Sequence, residues 1–303
     1  MTYRRTPTSC HTARMTQTRA TPTVKRRRVG AQLRRYREAA KMKTGDAAKA
    51  MGWDNARLSR TERGLQRVSA DEVYALAKVY GVDDHAALVE IARVAEEPPD
   101  IGWWMPYRGL MTQEYIDFIT LESEAETIRI WHAGLVGGLL QTPAYAREIA
   151  ATSVTPMSLE MSERLVSARM ARQEVFSRPG KPVHYSALVP EAAFHQRFAA
   201  GQAVLRDQLT RLLDASEAAH IDIRVVPLTA LPHPGNGGNF TLLTFGHPWN
   251  PVVSVDHNRG GSTLEDPAEV DVFEAMYARI EDAALSVDSS RDLITTYLEG
   301  TRT

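Results

Sequence analysis

The chain has 303 residues, 43% of them apolar and 24% charged, with a formal net charge of −1. That length suits two packed domains, and that composition excludes a disordered chain. No apolar run approaches the ~18 residues of a membrane-spanning helix, and a single cysteine, Cys10, excludes both an internal disulfide and a cysteine-based zinc cluster.

The near-neutral total hides an asymmetry. Residues 1–96 hold 20 Lys/Arg against 10 Asp/Glu, and residues 97–303 hold 16 against 27. A basic front and an acidic back suit a polyanion-binding module joined to a part that avoids polyanions. Most of the excess lies in residues 1–28, which carry eight basic residues and no acid, so the module has to be judged on its motifs.

Residues 1–24 are rich in Thr and Arg and lack apolar periodicity, which with the basic run that follows predicts a disordered basic arm over 1–28. Three readings of it stay open: an arm that seeks DNA through Lys25-Arg26-Arg27-Arg28, an extension created by start-codon choice, with Met15 or a later codon the true start, or a transit peptide. An apolar signal-peptide core is missing.

Residues 29–96 predict five short helices. The first is Val29–Lys41, and the second is Thr44–Met51, broken by Gly52. The third runs over about 54–63, with Asp54 as N-cap and Gly64 as stop. Ser69 and Glu72 have the spacing of a capping box and open a fourth helix, Ala70–Tyr80, ended by Gly81. The fifth is Asp84–Ala95. Glu96-Glu97-Pro98-Pro99 then opens a linker over 97–109.

Residues 110–300 predict an α+β domain. Helices are expected at Gln113–Trp131, Pro143–Thr152, Ser158–Phe176, Gln202–His220 and Asp266–Leu285, with a short one near Asp292–Leu298. Val183–Val189, Ile221–Pro227, Asn239–Phe245 and Val252–Asp256 have strand character. The whole is mainly α with a smaller β part: an all-α five-helix domain followed by an α+β domain.

The spacing Ala47-Ala48, Gly52, Leu58, Glu62-Arg63-Gly64 is what a helix-turn-helix needs. A small Ala48 lets two helices cross closely, Gly52 supplies the positive φ of the turn, and Leu58 anchors the second helix. The opposite face of that helix is then free. Asn55, Ala56 and Arg60 are the candidate base contacts, since Asn pairs with adenine and Arg with guanine in the major groove. Lys43, Thr44, Arg57, Ser59 and Arg63 are candidate phosphate contacts. Trp53 reads as a core or edge aromatic.

From Leu33-Arg34-Arg35-Tyr36-Arg37-Glu38 to Val79-Tyr80-Gly81-Val82, and in the Arg60-x-Glu62-x-Gly64 ending, the segment resembles the XRE (Cro/repressor-like) helix-turn-helix family. The resemblance implies double-stranded DNA as partner, a homodimer, and a structural ion pair between Arg37 and Glu62. Asn55, Ala56 and Thr44-Gly45 stand where the family often has Gln or Ser, so operator sequence does not carry over.

Beyond residue 97 no catalytic constellation stands out, and an enzyme is not expected. Six of the nine histidines lie between His184 and His257 without a metal-ligand spacing. Gly235-Asn236-Gly237-Gly238 lacks the Lys-Ser/Thr of a phosphate-binding loop, so neither metal nor cofactor is expected. Gly138–Ala146 reads as a tight loop entering a helix, held by Gln141 and Thr142, or as the lining of a cleft. Arg169, Arg172 and Gln173 form one polar edge that could pair with the acidic segment 265–274.

Gly138-Leu139-Leu140-Gln141-Thr142-Pro143-x-Tyr145-Ala146-Arg147, Arg169-Met170-x-Arg172-Gln173-Glu174, Arg206-Asp207-Gln208-Leu209 and Gly238-Asn239-Phe240-Thr241-Leu242-Leu243 resemble the C-terminal domain of actinobacterial regulators sometimes called Scr-type antitoxin-like. Val136-Gly137 departs from the branched residue and Pro common there. The resemblance implies a small partner protein encoded nearby. The expectation is a cytoplasmic DNA-binding transcriptional regulator whose C-terminal domain dimerises, senses a ligand or binds that partner. The alternative is an antitoxin-like interaction module whose DNA binding is autoregulatory.

Overall fold

The computed structural model describes residues 23–98, 102–153, 157–257 and 260–301. Five helices come first: α1 (Val24–Ala39), α2 (Thr44–Ala50), α3 (Asn55–Glu62), α4 (Ala70–Tyr80) and α5 (His85–Glu96). They enclose a core of Leu33, Ala47, Ala48, Leu58, Leu76 and Ile91. α4 starts on a complete capping box, in which the Ser69 hydroxyl accepts the Glu72 N–H and the Glu72 carboxylate accepts the Ser69 N–H.

α1 begins at Val24, five residues before the expected start, which corrects the basic arm at its end. Residues 1–22 of that arm lie outside the described residues. The run that looked free for DNA is instead bound within the chain. Lys25 pairs with Glu124 at 2.9 Å, Arg27 with Asp117 at 2.7 Å and Arg28 with Glu124 at 3.1 Å. The Arg28 guanidinium also stacks over the Phe245 ring at 3.9 Å, and Val24 is buried. These partners lie some 90 to 220 residues away, so tertiary contacts add to the local Thr23 cap in holding the first turn of the helix.

α1 and α3 cross closely at Gly30. A Cβ there would sit 2.4 Å from the Thr61 carbonyl oxygen and 2.7 Å from that of Glu62, and backbone cannot step aside as a side chain can. Gly30→Ala is therefore expected to destabilise the fold by about 1–3 kcal/mol despite alanine's better helix propensity. A urea midpoint equal to or above that of the parent chain would contradict this close crossing.

A 3₁₀ helix, Met105–Leu110, leads to α6 (Gln113–Glu124). The expected helix Gln113–Trp131 stops seven residues early. Thr127-Ile128-Arg129-Ile130-Trp131 is the strand β1, with Ile128 and Trp131 buried on opposite faces of a sheet. The alternation Thr127-Ile128-Arg129-Ile130 is only four residues long and breaks at Trp131, too short to stand out beside the helical spacing before it. α7 (Pro143–Ala151) and α8 (Leu159–Ala171) follow, with a 3₁₀ turn at Arg172–Phe176. Then come β2 (His184–Pro190), α9 (Ala203–Ala215), β3 (Ile221–Val226), β4 (Asn239–Thr244), β5 (Val252–His257) and β6 (Gly260–Leu264). α10 (Pro267–Asp282) and α11 (Val287–Gly300) close the chain, α11 being longer than the short helix expected near Asp292.

The six strands form one sheet in the order β3-β2-β1-β4-β5-β6. β1, β2 and β3 are parallel, and β1/β4, β4/β5 and β5/β6 are antiparallel. One face packs Ile128, Tyr185, Ile223 and Leu243 against Leu121, Leu209 and Ile294 from the helices. The other packs Trp131, Phe240 and Val253 against Val270, Tyr277 and Ile280 of α10. β6 carries no apolar alternation, and its place comes from pairing with β5. The β3 edge is covered: Val225 donates its N–H to the Ser290 hydroxyl at 2.8 Å and accepts from the Leu285 N–H at 2.8 Å. Such cover removes an exposed strand edge.

The polar edge Arg169-Arg172-Gln173 does not meet segment 265–274. Arg172 is paired with Glu122, Arg169 donates to Gln141 and Gln173 donates to the Gln141 carbonyl. Within that acidic segment, Glu274 pairs with Arg129. The loop Gly138–Ala146 contains a 3₁₀ turn, and the Thr142 hydroxyl caps α7 by accepting the Tyr145 N–H. Gly235 accepts the Trp131 indole N–H at 2.8 Å, within a short 3₁₀ turn over Pro234–Gly237.

Candidate nucleic-acid interface

α2 and α3 are joined by Met51-Gly52-Trp53-Asp54. Gly52 adopts φ 67°, the left-handed conformation that favours glycine, and the Trp53 N–H returns to the Ala48 carbonyl at 2.8 Å. Asp54 caps α3 by accepting the Arg57 N–H at 2.5 Å. Leu58, fully buried, fixes one side of α3. Gly45 lies beside the Asn55 amide, its Cβ position 3.6 Å from Oδ1. The first turns of α2 and α3 therefore open on one surface.

On that surface Asn55, Ala56 and Arg60 are exposed, as are Lys43 and Arg63, with Thr44 and Ser59 half-buried. The Arg60 Nε donates to Gln66 at 3.2 Å, and the Arg63 Nε donates to the Ser59 carbonyl at 3.1 Å. Both are contacts at exposed positions, which water or a phosphate can replace.

Arg57, expected at a phosphate, is differently placed from Arg60 and Arg63. Its guanidinium pairs with Glu72 and lies over the Trp53 ring at 4.0 Å. Those partners turn it toward α4 and fix the turn between α2 and α3. Trp53 packs on the domain core as an edge aromatic. The capping-box glutamate thus holds both the start of α4 and the first turn of α3, a second role that local spacing does not reveal.

Glu62 and Arg37 form a bidentate pair, Nε to Oε1 at 2.6 Å and Nη2 to Oε2 at 3.0 Å. Arg37 also donates to the Met42 carbonyl at 2.9 Å. The hydrogen bonds to Glu62 raise the Arg37 pKa above its ordinary value against the cost of burial. The pair clamps the end of α3 to α1 and leaves neither group for DNA.

Among the described residues no group of three or more His, Cys, Asp and Glu side chains is arranged to hold a metal ion. Among the same residues no helix is long and apolar enough to cross a membrane.

Residues 28–88 match a family described as a helix-turn-helix domain, and residues 115–296 match one described as a domain of unknown function, DUF5753. Neither the curated proteins nor the solved structures yielded a match. The helix-turn-helix domain points to DNA binding.

Proposed function

The chain belongs to the DUF5753 family, and we propose that the helix-turn-helix domain ahead of that domain makes it a sequence-specific DNA-binding transcriptional regulator of the XRE type. The observation that carries this reading is the single surface on which Asn55, Ala56 and Arg60 stand exposed beside the opening turn of α2. α3 lies in the major groove, with Asn55, Ala56 and Arg60 at base edges and Lys43, Thr44, Ser59 and Arg63 at phosphates. One short recognition helix has limited reach, so the chain acts as a homodimer on two half-sites. It is a cytoplasmic binding protein rather than an enzyme.

The test is binding of the full chain to DNA from its own promoter region, with random DNA as competitor, at two salt concentrations. A preference of ~10³-fold or more supports the reading. Equal, steeply salt-dependent binding to both DNAs overturns it. Asn55→Ala and Arg60→Ala are each expected to remove about 1–3 kcal/mol of sequence-specific binding. Unchanged affinity in both variants would move the recognition face elsewhere.

A second reading is an antitoxin-like module of the Scr type that binds a small partner protein, its DNA binding only autoregulatory. It is favoured by Leu228 and Leu231, which stand 61% and 81% exposed in the loop after β3. The two stand three residues apart in one loop, a small apolar spot that a partner could cover. Co-purification of a small protein that Leu231→Asp abolishes would put this reading first.

A further inference from the structure

Between α6, α8 and the sheet lies a cavity of about 420 Å³. Its apolar wall is built by Phe118, Ile130, Leu135 and Ile149, and its polar wall by Arg169, His132, Gln141, Thr241 and Ser254. A volume of ~300–1,000 Å³ with a few convergent polar groups is the usual form of a small-molecule site. Two marker segments of the sequence, Gly138–Gln141 and Arg169–Arg172, meet here.

The charges are unequal in a telling way. Arg172, buried, is neutralised by Glu122 through two hydrogen bonds of 2.8 and 2.7 Å. Arg169, one turn before it, has no carboxylate within ion-pair distance among the described residues. Its Nη1 donates instead to the neutral Gln141 amide oxygen at 2.6 Å. Burial pulls the Arg169 pKa below the ordinary arginine value, yet a guanidinium keeps its proton at neutral pH. Arg169 is half-buried and feels the exposed Asp256 carboxylate only beyond ion-pair distance, so an anion bound in the cavity would give it the close partner that Arg172 has in Glu122.

Gln141 holds that guanidinium in place, since its own amide donates to the Val136 carbonyl at 2.7 Å and its carbonyl accepts from Gln173 at 2.8 Å. Beside Arg169 stands His132, whose pKa burial and the neighbouring guanidinium push down to about 4. Its imidazole is neutral at pH 7, and the enclosed Nδ1 has no hydrogen-bond partner. Glu114 and Asp256 line the cavity as well, and Asp256 lies 3.9 Å from the His132 Nε2 and acts on the Arg169 charge; both carboxylates are exposed, so water screens them more than it screens Arg169.

We propose that this cavity binds a small organic carboxylate with an apolar body, the carboxylate on Arg169 and His132 and the body against Phe118, Ile130 and Leu135. The site gives ligand sensing by the C-terminal domain a place and a chemistry, and it stands whether or not the chain reads DNA.

The test is calorimetric titration of the DNA-free full chain with hexanoate, phenylacetate, their neutral amides and inorganic phosphate. At least one of the two acids is expected to bind saturably with Kd below about 1 mM, and its amide at least ~10-fold more weakly. Arg169→Gln is expected to erase the difference between acid and amide, while Arg169→Lys keeps part of it. Should Arg169→Gln fail to fold, Ile149→Trp serves instead: it fills the cavity, leaves the charge in place, and is expected to weaken the acid ~10-fold or more. The proposal is overturned if neither acid saturates by about 10 mM, if acid and amide bind alike, or if phosphate binds as tightly as the acids. It also fails if a folded Arg169→Gln or Ile149→Trp binds unchanged.

Discussion

Glu122→Ala is expected to lower the stability of the full chain by about 3–5 kcal/mol. Glu122 is 2% exposed and Arg172 7%. The two share two hydrogen bonds, and Arg172 gives a third to the Tyr115 hydroxyl at 2.8 Å. Burial works against the Arg172 charge, but Glu122 outweighs it and holds that pKa above the ordinary arginine value. Removing the carboxylate strands a guanidinium among Tyr115, Phe118 and the Gly138 loop. Equilibrium denaturation measures the loss. The double variant Glu122→Leu with Arg172→Met should recover most of it, because paired apolar replacements leave no charge behind. A loss below about 1 kcal/mol for Glu122→Ala would place the pair in the range of surface salt bridges and defeat the argument.

Arg37→Ala carries the second large effect. The pair with Glu62 is nearly as enclosed, 9% and 6% exposed by side chain, so the stability loss is again about 3–5 kcal/mol. Its consequence differs because Glu62 ends the helix proposed to read DNA. With Arg37 gone, Glu62 faces the core unpaired and the end of α3 is released from α1. Melting temperature and operator affinity should therefore fall together. In Asn55→Ala, by contrast, affinity falls while the melting temperature holds, since Asn55 is exposed and no core contact is lost. A variant Arg37→Ala that melts like the parent chain would show the pair to be dispensable.

Much of the first domain was legible because its signals are local. Ala70–Tyr80 was bounded correctly since Ser69, Glu72 and Gly81 act within a few residues of the helix they frame. The start of α1 was illegible for the opposite reason: Lys25, Arg27 and Arg28 are bound by Asp117 and Glu124, and no window of sequence holds both halves of those pairs. β1 hid behind helical spacing because its polar–apolar alternation lasts only from Thr127 to Ile130. β6, with two glycines and no alternating pattern, exists through its partner strand. At the recognition surface the exposed residues could be placed by period, but the capture of Arg57 by Trp53 and Glu72 depends on a contact made across the turn. The cavity was half visible, as marker segments, while the pairing of Arg169 with the neutral Gln141 amide rather than with a carboxylate belongs to three dimensions alone.

α6 has two occupied sides. Asp117 and Glu124 take the basic first turns of α1, while Tyr115 and Phe118 wall the cavity and Glu122 holds Arg172. One twelve-residue helix thus carries the ion pairs that seat the five-helix domain and the residues that wall the cavity of the sheet domain.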